Sequence, residues 1–99
     1  MKKIKEYVEE IDEELEGAQN YAEKYVEEKV KGNMPKASKY KEMAMDELKH
    51  SSYIHEWAIK EIEEISKVYT APAEMMEKWQ KAHKEYVGKV AWIKQMLEM

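Results

Sequence analysis

The sequence predicts an all-α protein: one domain over residues 1–99, built as an antiparallel helical hairpin followed by a third helix. Three observations carry this. Apolar residues recur at the i, i+3, i+4, i+7 spacing of a helix face along most of the chain, and no stretch alternates as a strand would. Three glycines and two prolines in 99 residues leave few turns, hence few and long elements. A composition of 43% hydrophobic and 38% charged residues suits long amphipathic helices rather than disorder.

The helices are expected at about 3–31, 35–69 and 72–97. From Lys3 to Lys31 the apolar face is Ile4, Tyr7, Val8, Ile11, Leu15, Ala18, Ala22, Tyr25 and Val26. Gly32-Asn33-Met34-Pro35 ends that helix and opens the next. Glycine suits a helix C-terminus, asparagine caps a following N-terminus, and proline is tolerated in a first turn. So short a loop places two helices antiparallel. The second helix, Pro35 to Tyr69, has a seam of Tyr40, Met43, Ala44, Glu47, His50, Ser51, Ile54, Trp57, Ala58, Glu61, Ile65 and Val68. It should span roughly 50 Å, a length usual in bundles and coiled coils. Thr70-Ala71-Pro72 breaks the pattern, with Thr70 as the expected cap and Glu74 favourable in the next first turn. The third helix, Pro72 to Leu97, carries a stripe of Met75, Met76, Trp79, Ala82, His83, Tyr86, Val87, Val90, Ile93 and Leu97, with Trp92 and Met96 off it.

Several function classes are disfavoured. A formal charge of −4 with no basic patch argues against a nucleic-acid partner. The lack of cysteine removes disulfides, thiolate zinc sites and a cysteine nucleophile. No apolar run approaches a membrane span. Met1-Lys2-Lys3 resembles the start of a signal peptide, but Glu6, Glu9 and Glu10 occupy its apolar region, so a cytoplasmic location is expected. Ser51 and Ser52 adjoin His50 but cannot face its ring for attack, and there is no glycine-rich phosphate loop.

The chemistry centres on Glu47-Leu48-Lys49-His50. A carboxylate and an imidazole three residues apart share a helix face and can reach one metal ion. Their phase puts them on the apolar seam, where an uncompensated polar group is costly. Ala44, Ser51 and Ala58 surround them with small side chains. On the first helix Glu14 shares a seam with Tyr7, Ile11, Ala18, Tyr21 and Tyr25, while Glu13 and Glu16 point away. Counted from Asn33, Glu14 lies nineteen residues back and the pair fourteen to seventeen forward, agreeing to about one turn. Glu16 fits the depth slightly better, but a short loop can shift register and cannot rotate a side chain out of solvent. Phase therefore selects Glu14. Oxygen and nitrogen ligands of this kind suit iron, manganese or zinc. One Glu plus one Glu-x-x-His is half of a carboxylate-bridged two-metal site, and a second copy of the chain would supply the other half. A homodimer, or a larger even-numbered oligomer, is expected.

Glu14-Leu15-Glu16-Gly17-Ala18-Gln19-Asn20-Tyr21 followed by Glu47-Leu48-Lys49-His50 resembles the first half of a ferritin-like di-iron protein. Bacterioferritins and rubrerythrins share the pattern, and the half-bundle encapsulated ferritins are similar in architecture. The resemblance spans roughly Ile11 to Ile62. It implies a four-helix bundle completed by dimerisation and two irons per dimer, held by Glu14, Glu47 and His50. It implies that Glu47 bridges, that Tyr21 hydrogen-bonds a bridging carboxylate, and that ferrous iron is oxidised by O₂. The third helix departs from full-length ferritin-like chains, since Glu77 and Glu85 point outward and no second Glu-x-x-His lies on its inner face. The residues after Val90 do not resemble a cargo-targeting tail, so an encapsulating shell is not supported.

Other polar residues read more simply. His83, beside Trp79 and Tyr86, reads as a hydrogen-bonded core histidine. His55 falls off the seam and is expected to be exposed. Glu61 shares the Glu47 face and is expected to pair with a lysine, with a cation path or secondary metal site as alternatives. Asp46 could orient the His50 ring. The eight methionines fit gap-filling roles. Two further functional readings stand beside the iron oxidase: a helical scaffold without chemistry, and a zinc or manganese site that ties a dimer together.

Overall fold

The structure, a computed structural model, describes residues 4–68, 70 and 72–99. It contains α1 (Ile4–Val30), α2 (Met34–Val68) and α3 (Ala73–Leu97), with no strand among the described residues. The expected extensions to Lys3 and Tyr69 lie outside the described residues.

The turn is built as its residues dictate. Gly32 adopts φ +82°, a left-handed conformation that costs glycine little. Its N–H reaches the Lys29 carbonyl at 3.0 Å, and the Asn33 N–H reaches the Glu28 carbonyl at 2.9 Å. This paired arrangement satisfies carbonyls that a helix end otherwise leaves free. Asn33 then caps α2, its side-chain oxygen accepting from the Lys36 N–H at 3.3 Å. Glu28, almost enclosed, sits 3.7 Å from both Lys31 and Lys36 and ties the turn across its two helices.

Small residues set the hairpin's spacing. Ala18 and Ala22 on α1, and Ala37, Ala44, Ser51 and Ala58 on α2, are fully enclosed. The four on α2 recur every seven residues, as at the seam of a coiled coil. Ile11, Leu15 and Tyr25 interleave with Leu48, Ile54 and Ile62 to complete the core. The Ser51 hydroxyl is satisfied within α2 by the Leu48 carbonyl at 2.7 Å.

The buried seam of α2 differs from the one the sequence suggests. Leu48 and Ile62 are inside, whereas Met43, His50, Trp57 and Val68 are exposed. α3 packs mainly on α1 and reaches α2 through side chains on the flank carrying Leu48 and His55. The α2 seam is thereby rotated about 50° toward that side, at about 100° per residue.

The third helix begins with Pro72, not Thr70, at the capping position, and no side-chain cap bond is made there. It returns to the hairpin's turn, where the Lys29 ammonium donates to the Met99 carbonyl. Ile93, Met96 and Leu97 are buried at that end. Met96 thus joins the core stripe, while Val87 and Trp92 are exposed. The opposite ends of α1 and α3 diverge around an open groove of about 820 Å³, lined by Ile4, Val8, Ile65, Met75 and Ala82. The whole measures 55 × 20 × 16 Å. No helix is long and apolar enough to cross a membrane among the described residues.

Candidate metal centre

Glu14 projects from the middle of α1, and Glu47 and His50 from the middle of α2. One ligand atom from each lies within 4.8 Å of the other two. His50 Nδ1 is 3.5 Å from Glu14 Oε2. Glu16 is exposed and takes no part. A carboxylate from one helix and a Glu-x-x-His pair from its neighbour therefore meet at one level of the hairpin.

The electrostatics are those of carboxylates crowded together without a cation. Hydrogen bonding with Glu14 raises the Glu47 carboxyl above its ordinary value. Desolvation and the negative charges of Glu14 and Asp46 act in the same direction, and His50 opposes them. Like-charged carboxylates in contact favour holding a proton between them. A divalent cation would serve the same role by displacing that proton, so the donor set fits a metal of the iron, manganese or zinc type.

Gly17 makes the room. A Cβ at this position would stand 3.2 Å from Glu47 Oε2, closer than ordinary contact. Ala44, Ser51 and Ala58 do not provide the space, because α1 packs directly onto all three and leaves none exposed. A glycine inside a helix costs about 1 kcal/mol relative to alanine, and that cost is the signal by which Gly17 could have been singled out.

The site does not lie at the centre of the seam. Glu47 sits on the flank facing away from α3, about 50° from the middle of the buried stripe. Glu14 and Glu47 are half-buried, and the His50 side chain is 54% exposed. Met43 (40% exposed) and Trp57 (53% exposed) lie on the same open flank. The sequence pattern merged two surfaces, the true core stripe and this apolar flank, into one broad seam.

The remaining candidates distribute as follows. Tyr21 is half-buried and stacks on Tyr40, ring centroids 6.3 Å apart, with the Lys24 ammonium 5.6 Å from the Tyr40 ring. No hydrogen bond joins Tyr21 to Glu14, Glu47 or His50 among the described residues. Asp46 is exposed and makes no bond to the His50 ring, whose Nδ1 is turned to Glu14. Among the described residues Glu61 has no lysine partner, and its Oε2 is buried with no hydrogen bond.

Both remaining histidines depart from expectation. His55 is half-buried, not exposed, because α3 covers it. Its ring stacks on Tyr86 at 4.3 Å and tilts against Trp79 at 5.2 Å. Its Nε2 lies 2.9 Å from His83 Nδ1. His83 is hydrogen-bonded as expected, yet it is exposed rather than in the core. The phase of α2 alone could not reveal this contact, since it depends on which flank α3 covers. Comparisons with protein-family models, with curated proteins and with solved structures return no match to this chain.

Proposed function

We propose that the chain is one half of a ferritin-like di-iron oxidase, in which two copies join through the open flank of the α1–α2 hairpin. The observation that carries this reading is the convergence of Glu14, Glu47 and His50 on that flank, with Gly17 leaving space beside Glu47. A buried metal pair needs more donors than one hairpin supplies, and an exposed apolar flank around three donors favours a second copy as their source. The exposed Met43 and Trp57 would then pack at the interface.

Within this reading Glu14 and Glu47 would hold the metals and balance their charge. His50 would contribute a nitrogen donor and fix orientation. The chemistry supplied there would be reduction of dioxygen by electrons from ferrous iron. The raised Glu47 carboxyl would have to be ionised to hold a metal, so uptake would strengthen as pH rises through its range. Tyr21, one heptad from Glu14, is placed to close the site's end with Tyr40 rather than to bond a ligand directly.

Two measurements on the purified protein test the reading: metal content with molecular mass, and the rate at which added Fe(II) is oxidised in air. A dimer or multiple of dimers with two metals per pair, and oxidation lost in Glu47→Ala and His50→Ala, is the expected outcome. A metal-free monomer, or oxidation unchanged in both variants, refutes it. The exposure of His50 favours one second reading, a zinc or manganese site that joins two copies without redox chemistry. It predicts metal-dependent dimerisation with no acceleration of Fe(II) oxidation.

A further inference from the structure

On the other side of α2 from the carboxylates, the geometry points to a second metal site of different chemistry: His55 and His83 chelating one copper(II)- or nickel(II)-class ion between α2 and α3. The two histidines that lie on α2, His50 and His55, are separated by about 140° around the helix, so the sites face apart. This proposal does not depend on the di-iron reading.

Three observations support it. The first is separation: His55 Nε2 and His83 Nδ1 stand 2.9 Å apart. That is the length of an N–H···N hydrogen bond, and an ion can replace its proton and take both nitrogens. Imidazole donors suit Cu(II) and Ni(II), which stand high in the affinity order of the divalent ions. The second is access. His83 is exposed, so an ion and its water ligands can reach the pair from solvent.

The third is orientation. The His55 ring is held between Tyr86, nearly parallel at 14°, and Trp79. The ring centroids are 5.0 Å apart, so the two nitrogens now point almost at each other. For both lone pairs to meet at one ion the rings must turn away from the line joining the nitrogens by roughly 90° between them, a movement open to the exposed His83 through its own χ angles. Binding requires His55 to carry its proton on Nδ1 and His83 on Nε2. Both are neutral tautomers, so the pair need not lose a net proton. Burial and the neighbouring His83 hold His55 below the ordinary histidine value, which keeps its lone pair free at neutral pH.

The chain has three histidines, which makes assignment by substitution complete. The probe is Cu(II) titrated into the full chain, read by electron paramagnetic resonance and by fluorescence quenching of Trp79 in a background with Trp57 and Trp92 replaced by Phe. Expected is a Cu(II) ion coupled to two imidazole nitrogens, one per chain in His50→Ala, where the carboxylate site has lost its only nitrogen. His83→Ala should lose the two-nitrogen pattern and bind at least tenfold more weakly. Because His83 is exposed, that variant should keep its helical circular dichroism, and His55→Gln serves as the second test. Undiminished Cu(II) binding in His83→Ala, or loss of the signal in His50→Ala, overturns the proposal.

Discussion

Replacing Gly17 with alanine should separate the stability of the hairpin from its capacity to hold a metal. Gly17 and Gly88 both lie inside helices, and neither has the positive φ of Gly32. Alanine at such positions is worth about 0.5–1 kcal/mol through helix propensity and a less flexible unfolded chain. A new Cβ at Gly88 meets nothing within 4 Å, so Gly88→Ala measures that gain alone. At Gly17 the new Cβ meets Glu47 Oε2 at 3.2 Å, with Cδ at 3.6 Å and Cγ at 3.8 Å. Only the oxygen must yield, by a few tenths of an ångström. The tip of a metal-free glutamate can move that far cheaply, so both variants should melt about 2–8 °C higher without metal. A coordinating carboxylate has less freedom, because ligand distances hold to within about 0.2 Å. Gly17→Ala should therefore weaken metal binding by about tenfold, or about 1.4 kcal/mol, while Gly88→Ala leaves it unchanged. Urea melts of metal-free protein and competitive titrations with Mn(II), Zn(II) and anaerobic Fe(II) supply both numbers. Unaltered affinity in Gly17→Ala would refute the role given to this glycine.

Other substitutions test separate parts of the structure. Gly32→Ala places a Cβ in open space but keeps φ +82°, so it should cost about 1–2 kcal/mol, read as a lower urea midpoint with unchanged slope. Glu61→Leu removes a buried oxygen that lacks a partner, and the metal-free protein should gain about 1 kcal/mol; a loss would show that Glu61 is engaged in solution. Acid should loosen the α2–α3 contact. His55, facing His83, Trp79 and Tyr86 with Glu56 beside it, has a lowered folded pKa, so the unfolded chain takes up its proton first. That contribution is present above the unfolded value of 6.5 and is lost as pH falls through the folded value. Melts at pH 7.5 and pH 5 should differ less in His55→Gln. Glu47 acts in the opposite sense: its contribution is present below 4.5 and is lost as pH rises through its raised value, which makes Glu47→Gln the matching control in metal-free protein.

The helices and their turn were legible because the signals are local. Glycine, asparagine and proline at 32, 33 and 35 each act on their own backbone, and the turn they specify fixes the antiparallel hairpin. Glu14 was separable from Glu16 by phase, a property of α1 alone. What could not be read was which side of the hairpin α3 would cover. With α3 over Leu48 and His55, the core stripe turns away from Met43 and Trp57, and the Glu47–His50 pair moves from the centre of the core to its open edge. The same unknown hid the His55–His83 contact. Thr70 was a reasonable cap by residue type, but Pro72 holds that position, one residue before the helix begins.

The stacked pair Tyr21 and Tyr40 has a consequence for how the carboxylates are seated. Each tyrosine lies seven residues from its counterpart, Tyr21 from Glu14 and Tyr40 from Glu47. The two pairs are successive rungs of one ladder, repeated along the hairpin at the pitch of its alanine seam. A strict seven-residue repeat keeps such rungs aligned only if the helices wind around each other in a left-handed sense, since a straight helix drifts by about 20° per repeat. The carboxylates are thus positioned by the arithmetic of the winding more than by any pocket around them. Neighbouring rungs become equivalent seats once the room is matched: glutamates at 21 and 40, with Met43 changed to histidine and Lys24 to glycine, would move the donor set one heptad toward the turn.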